Sequence, residues 1–244
     1  MSRLARPART LALAASMIAG IALVVSSATA QERFTLRKSS DREFDQRVRR
    51  ADPGKVIATE LAFARAAQEK GQWTAFAEFA ADDAVMFVPE PINAKEWLRR
   101  QTNPAQTVRW QPHEVWSSCD GTLAVTRGAW QRPDGSTGYF TTVWERQRNS
   151  EYRWVMDQGD ALAQPLPERE MIEARVADCR LESPQTPATD FTDDPSEKIN
   201  SGHSRDGTLW WRVVTKADGS RRVTATYWDG SAWQVAFMEQ VEGR

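Results

Sequence analysis

"GYFTTVWERQRNSEYRWVMDQGD", Gly138 to Asp160, reads as two β-strands joined by a turn at Asn149-Ser150. Successive strand side chains point to opposite faces. Strict alternation sets Tyr139, Thr141 and Val143 on one face of the first strand and Phe140, Thr142 and Trp144 on the other. In the second strand it sets Tyr152, Trp154 and Met156 against Arg153, Val155 and Asp157. Both faces carry large apolar groups, so both need cover, and a carboxylate, Asp157, closes the run.

Two more alternating stretches precede this hairpin, "TVRWQPHEVWSS" and "TLAVTRGAWQR", with turns at Asp120-Gly121 and Pro133-Asp134-Gly135. Further upstream the period becomes helical. In "ADPGKVIATELAFARAAQEKG" Asp52 can cap a helix, Pro53 suits its first position and Gly71 its stop. Ile57, Leu61 and Ala64 recur at helical spacing, flanked by Val56 and Phe63. Trp73, Phe76, Ala77 and Ala80 mark a second helix, and Asp82-Asp83 turns into a short strand, Val85 to Val88. Asn93 with Glu96 forms a capping pair for a third helix. Three helices followed by strands predict an α+β fold, with the helices on one face of an antiparallel sheet.

At the N-terminus, Arg3, Arg6 and Arg9 precede the apolar "LALAASMIAGIALVV", and Ala28-Thr29-Ala30 matches a cleavage site. Residues 1–30 therefore read as a cleaved secretory signal peptide, leaving a chain that begins at Gln31. The rival, an uncleaved anchor, has an apolar run too short for a typical span. Of 32 basic residues three leave with the leader, so 29 stand against 33 acidic ones and the net charge becomes about −4. Such a surface does not suit nucleic acid. The expected location is periplasmic or secreted, with no membrane span after cleavage. Cys119 and Cys179 would meet an oxidising compartment, where they form a disulfide or remain two buried thiols; their spacing alone does not decide.

Residues 31–52 read as a mobile charged segment, and 164–202, rich in proline, as a partly structured linker in which "EREMIEARVADCRLE" fits helix or strand. Residues 203–244 predict a three-stranded β-meander with turns at Asp218-Gly219 and Asp229-Gly230. "DGTL" occurs at Asp120 and again at Asp206, and "DGS" at Asp134 and Asp218. Two copies are few, and Asp-Gly turns recur by chance in meanders.

Residues 53–163 resemble the nuclear transport factor 2-like superfamily, particularly its SnoaL-like branch. The match rests on the succession "LAFARAAQEKGQW", "FAADDAVMFVPE", "AVTRGAW", "GYFTTVW" and "YRWVMDQGD". One departure is "PEPINA", where members often carry a glycine-rich turn. The resemblance implies a cone-like curved sheet wrapped around a cavity that the helices close. It also implies a homodimer through the outer sheet face, in many members, and isomerase, cyclase or dehydratase activity in some. Here the outer face would be covered by a partner subunit or by the chain's own tail.

No HExxH, CxxC, GxSxG, GxGxxG or P-loop pattern occurs, so neither metal nor cofactor is expected. Asp157 beside apolar neighbours could act as a general base, with Tyr139 donating to a developing enolate, the chemistry of ketosteroid isomerase relatives. The bland alternatives are a strand-end ion pair of Asp157 with Arg153 or Arg127, and core packing for Tyr139. Trp130, Trp144, Trp154 and His113 are candidate ligand contacts, although His113 follows Pro112, which favours a bulge or edge position. The chain has eleven tryptophans, several of them in the tail, where Trp210 and Trp211 cannot share a strand face. Three functions remain: an exported domain binding a small apolar or amphipathic ligand, a metal-free lyase or isomerase, and a Trp-rich module recognising envelope glycan or protein.

Overall fold

Asp52 opens the first helix as predicted, its carboxylate accepting from Lys55 N at 3.1 Å, and Gly71 closes it at φ 100°. The computed structural model describes residues 51–179, Pro187 and residues 195–243. The leader and nearly all of the 31–52 charged segment lie outside the described residues, and every contact below belongs to the unit Arg49–Arg244. Helix α1 runs Pro53–Lys70, α2 Gln72–Phe79 and α3 Ala94–Leu98. Asn93 caps α3, accepting from Glu96 N at 2.9 Å. Gly71 offers α2 no side-chain cap, so Asn103 Oδ1 reaches in from a later loop to accept from Trp73 N and Thr74 N.

The stripe that α1 buries is Val56, Glu60, Phe63, Ala66 and Ala67, not the predicted Ile57, Leu61 and Ala64; Leu61 is exposed. The buried stripe passes through a charged residue, which an apolar pattern skips.

Strands β1 (Ala80–Phe87), β2 (Pro91–Asn93), β3 (Arg109–Ser117), β4 (Leu123–Gln131), β5 (Thr137–Arg146), β6 (Tyr152–Leu162) and β7 (Glu173–Val176) form one sheet, ordered β2-β1-β6-β5-β4-β3-β7. The sheet is mixed rather than purely antiparallel, because β1 joins β6 and β7 joins β3 in parallel. β7 comes from the segment read as linker. With its three helices and a sheet that is antiparallel from β6 through β3, this part of the chain is α+β, as the sequence predicts.

A second sheet is ordered β11-β10-β9-β8, from β8 (Lys198–His203), β9 (Leu209–Thr215), β10 (Arg221–Trp228) and β11 (Trp233–Val241). It has four strands where the sequence predicts three. β8 is recruited from the linker by pairing along β9, its own pattern being too polar to announce a strand.

Two cores result. Helices and the concave sheet face bury Phe63, Ala67, Trp144 and Trp154. The convex face buries Trp116, Val125, Val143, Val155 and Met156 against Leu209, Trp211, Val213, Val223 and Phe237 of the tail. The hairpin's outer face is thus covered by this chain itself. The seam also holds a buried carboxylate: Glu239 on β11 accepts from Arg127 Nε (2.5 Å), the Thr141 hydroxyl (2.7 Å) and Gln158 Nε2 (2.7 Å).

The echoed turns meet at this seam. In Ser118–Leu123 and in Ser204–Leu209 the serine hydroxyl donates to the aspartate, at 2.8 and 2.6 Å, and the glycine takes positive φ. Cys119 N donates to Thr208 Oγ1 and Arg205 N to Thr122 Oγ1, both at 3.0 Å. Those residues occupy equivalent positions, so the two turns meet in a local two-fold pairing. Cys119 and Cys179 form a disulfide next to it.

Candidate functional site

The register of β5 on β6 decides what faces the helices. Val143 pairs with Met156 but Trp144 pairs with Trp154, so Val155 is an extra residue in a β-bulge. Strict alternation fails here. Trp154 and Asp157, three residues apart, share the concave face, while Val155 and Met156 both enter the tail-side core. This corrects the predicted grouping of Met156 with Trp154.

The same sheet bends along a row that pairs Pro112 with Gly128, Gly128 with Phe140, and Phe140 with Gly159. A Cβ on Gly128 would strike the Gln111 carbonyl and the Phe140 ring, and one on Gly159 would strike the Tyr139 carbonyl. Strands can approach this closely at a bend only where no side chain intervenes.

Between the bent sheet and the helices lies a cavity of about 630 Å³. One wall is a chain of touching rings. Trp97 meets Trp73 edge-on at 5.2 Å, Trp73 meets Phe76 at 5.6 Å, and Phe63 packs on both Phe76 and Trp110 at 4.8 Å. The opposite wall presents Trp130, Phe140, Thr142 and Asp157. Gly219, Arg221, Val241 and Glu242 of the tail contribute to one end.

Asp157, Asp160 and Glu242 are the carboxylates of this lining, and Asp157 sits beside Thr142 on the sheet wall. Its Oδ2 accepts from the Thr142 hydroxyl at 2.7 Å, and no other side chain among the described residues donates to it. Burial pushes its pKa up to about 7; the Thr142 bond opposes the rise and the nearby Glu60 carboxyl adds to it. Neither Arg153 nor Arg127 is its partner. Arg153 donates to the Glu78 carbonyl and pairs with Glu151, and Arg127 pairs with Glu114 and Glu239.

Glu60 is the residue that sequence reading missed. It is fully buried on α1 and accepts from Trp110 Nε1 (2.8 Å), Trp144 Nε1 (3.0 Å) and the Thr126 hydroxyl (2.6 Å). Burial raises its pKa and these three donors counter the rise. A signal was present: Val56, Phe63 and Ala67 are spaced around position 60 on one helical face.

The other predicted site residues are dispersed. Tyr139 pairs with Asp160 on the face opposite Asp157, beside Arg127 and Glu239, and burial pushes its phenol up to about 12. It cannot assist Asp157, because the face of a strand residue is set by its parity and β5 has no bulge between 139 and 142. Trp130 does line the cavity, its Nε1 donating to the Tyr139 carbonyl. Trp144 and Trp154 are buried behind the cavity, holding Glu60 and the Phe76 carbonyl respectively. His113 lies at the β3 bulge, outside the cavity, and burial with Arg169 nearby lowers its pKa. Cys119 and Cys179 are brought together, in the disulfide. Among the described residues no cluster of three or more His, Cys, Asp or Glu could hold a metal, and no helix is long and apolar enough to cross a membrane.

No family model matches the chain, and no curated protein matches it. Several solved structures are similar at low identity. One is described as a candidate ketosteroid isomerase from Parabacteroides distasonis: 13% identity, 48% of this chain and 97% of that one, TM-score 0.37. Another is an NTF-2 like protein of unknown function from Pseudomonas aeruginosa: 18% identity, 43% and 98%, TM-score 0.34. A third is a computationally designed 17-OHP binder: 14% identity, 45% and 93%, TM-score 0.32. At these scores the likenesses carry no functional argument.

Proposed function

We propose that the protein is an exported domain that binds a small apolar or amphipathic molecule between the helices and the curved sheet. One observation carries this reading: a cavity of about 630 Å³ with an aromatic wall and, on the facing sheet, the Asp157 carboxylate bonded to the Thr142 hydroxyl. Binding sites for small molecules have this character, largely apolar with few convergent polar groups. Tryptophan fluorescence titrated with neutral adamantanol tests it. Saturable binding is expected in the wild type and none in Thr142→Trp, which fills the space; no saturable change in the wild type with any adamantane, neutral or charged, removes the reading.

A second reading is proton transfer next to a carbonyl, favoured by the position of Asp157 and by its pKa near 7. Tyr139 has no part in it. The indole N–H groups of Trp110, Trp130 and Trp154 are committed to protein acceptors, which leaves a developing enolate few donors. Protein-catalysed loss of deuterium from an α-deuterated cyclic ketone, absent in Asp157→Asn, would establish it.

The Trp-rich tail supports an envelope-recognition role poorly. Trp211 is in the seam core, and Trp210 stacks on His203 at 4.3 Å while donating to the Gly207 carbonyl. Export is supported by the leader sequence and by the disulfide, a bond of oxidising compartments. Within the superfamily, the SnoaL-like placement rests on the short sequence pieces quoted above. Recovery of the protein from the periplasm or medium with Gln31 as its first residue is the expected outcome of N-terminal sequencing; an intact leader would contradict it.

A further inference from the structure

We infer that the cavity selects a cation: an amine or ammonium group carried on a compact hydrocarbon body. The inference rests on the ligand-binding reading above and names the class of molecule.

The first ground is charge without a counterion. Asp157 faces the cavity and Glu60 lies behind the same wall. The side-chain donors to the pair are two indoles and two hydroxyls, all neutral: Trp110, Trp144, Thr126 and Thr142. No lysine or arginine among the described residues donates to either. The two arginines of the cavity lining are engaged elsewhere. Arg132 is exposed and stacks 4.7 Å above Trp130, and Arg221 donates to Gln158 Oε1 and the Gly159 carbonyl. Buried carboxylates are ordinarily paired. Here the open side of Asp157 faces the space that a ligand would fill.

The second ground is the opposite wall. Trp73, Trp97, Phe76 and Trp110 line that space, and the negative face of an aromatic ring attracts a desolvated cation. An anion would meet the Asp157 carboxylate, with Asp160 and Glu242 also on the lining. A neutral hydrogen-bond acceptor would find the Trp110 and Trp130 indole N–H groups already in use. A cation suits the Asp157 carboxylate and the aromatic wall together.

The test compares three probes of one shape, aminoadamantane, adamantanol and adamantane carboxylate, titrated calorimetrically into the intact protein. At about pH 8.5 the amine should bind at least tenfold tighter than the alcohol, and the carboxylate weakest. The preference should collapse in Asp157→Asn. Should that variant not fold, the wild type alone decides: amine affinity should rise about tenfold or more between pH 5.5 and pH 8.5 as Asp157 ionises, with alcohol affinity flat. Equal or tighter binding of the alcohol, or an amine affinity indifferent to pH, overturns the inference and leaves the cavity reading standing. Failure of all three probes removes both.

Discussion

Burial raises the carboxyl pKa values of Asp157 and Glu60 at a cost to stability. A carboxyl raised in the folded state binds its proton more tightly there than in the unfolded chain. Its destabilising effect is therefore absent below the unfolded pKa, grows as pH rises, and is complete above about 7. Asp157→Asn keeps an acceptor for Thr142 and is expected to leave urea stability unchanged near pH 4 and to raise it by up to about 2 kcal/mol above pH 8. An equal effect at both pH values would contradict the burial argument. Glu60→Ala strands two indole N–H groups and a hydroxyl and opens a void, so a loss of about 3 kcal/mol is expected, with Glu60→Gln milder. Asp157 was legible in the sequence as a polar residue ending an apolar strand. Glu60 was not, because an apolar stripe is read by leaving charged residues out.

Two elements carry the geometry, the β6 bulge and the bend through Gly128 and Gly159. Gly128→Ala puts a methyl group against the Gln111 carbonyl and the Phe140 ring, and a loss of about 1–3 kcal/mol in chemical denaturation is expected for such overpacking. The disulfide spans 60 residues, from the end of β3 to just past β7. Replacing both cysteines by serine should lower stability by up to about 4 kcal/mol, the loop-closure value for that length. An unchanged denaturation midpoint would mean that the turn pairing around Cys119 holds β7 without it. Helices α1 and α3 were legible to their caps, because Asp52, Gly71 and Asn93 act on neighbours within one turn. The bulge was not, since an inserted residue changes no local preference; it follows from how β5 and β6 meet.

For the whole molecule, the tail sheet occupies the convex face through which the resemblance implied a homodimer. Trp116, Val125 and Val143 are already covered, and Glu239 is inserted among Arg127, Thr141 and Gln158. A dimer through that face would first require the tail to leave. Light scattering on the intact chain should give a monomer, and a chain ended after Cys179 should self-associate. Glu239→Ala leaves the half-buried Arg127 guanidinium without its shortest ion pair and should cost about 2 kcal/mol. A variant that is neutral in denaturation would show that apolar contacts alone hold the seam.

The sequence by itself determined the class of fold, the order of the three helices and of the strands apart from β2, β7 and β8, and the caps of α1 and α3, because these depend on preferences and patterns within a few residues. It also determined that both hairpin faces needed cover. Only the tertiary structure decided which partner supplies that cover, that Asp157 and not Tyr139 faces the cavity, that Glu60 is buried behind it, and that a polar stretch becomes the strand β8. Each of these depends on contacts between residues far apart in the chain, where a single extra residue in one strand reverses what every later side chain faces.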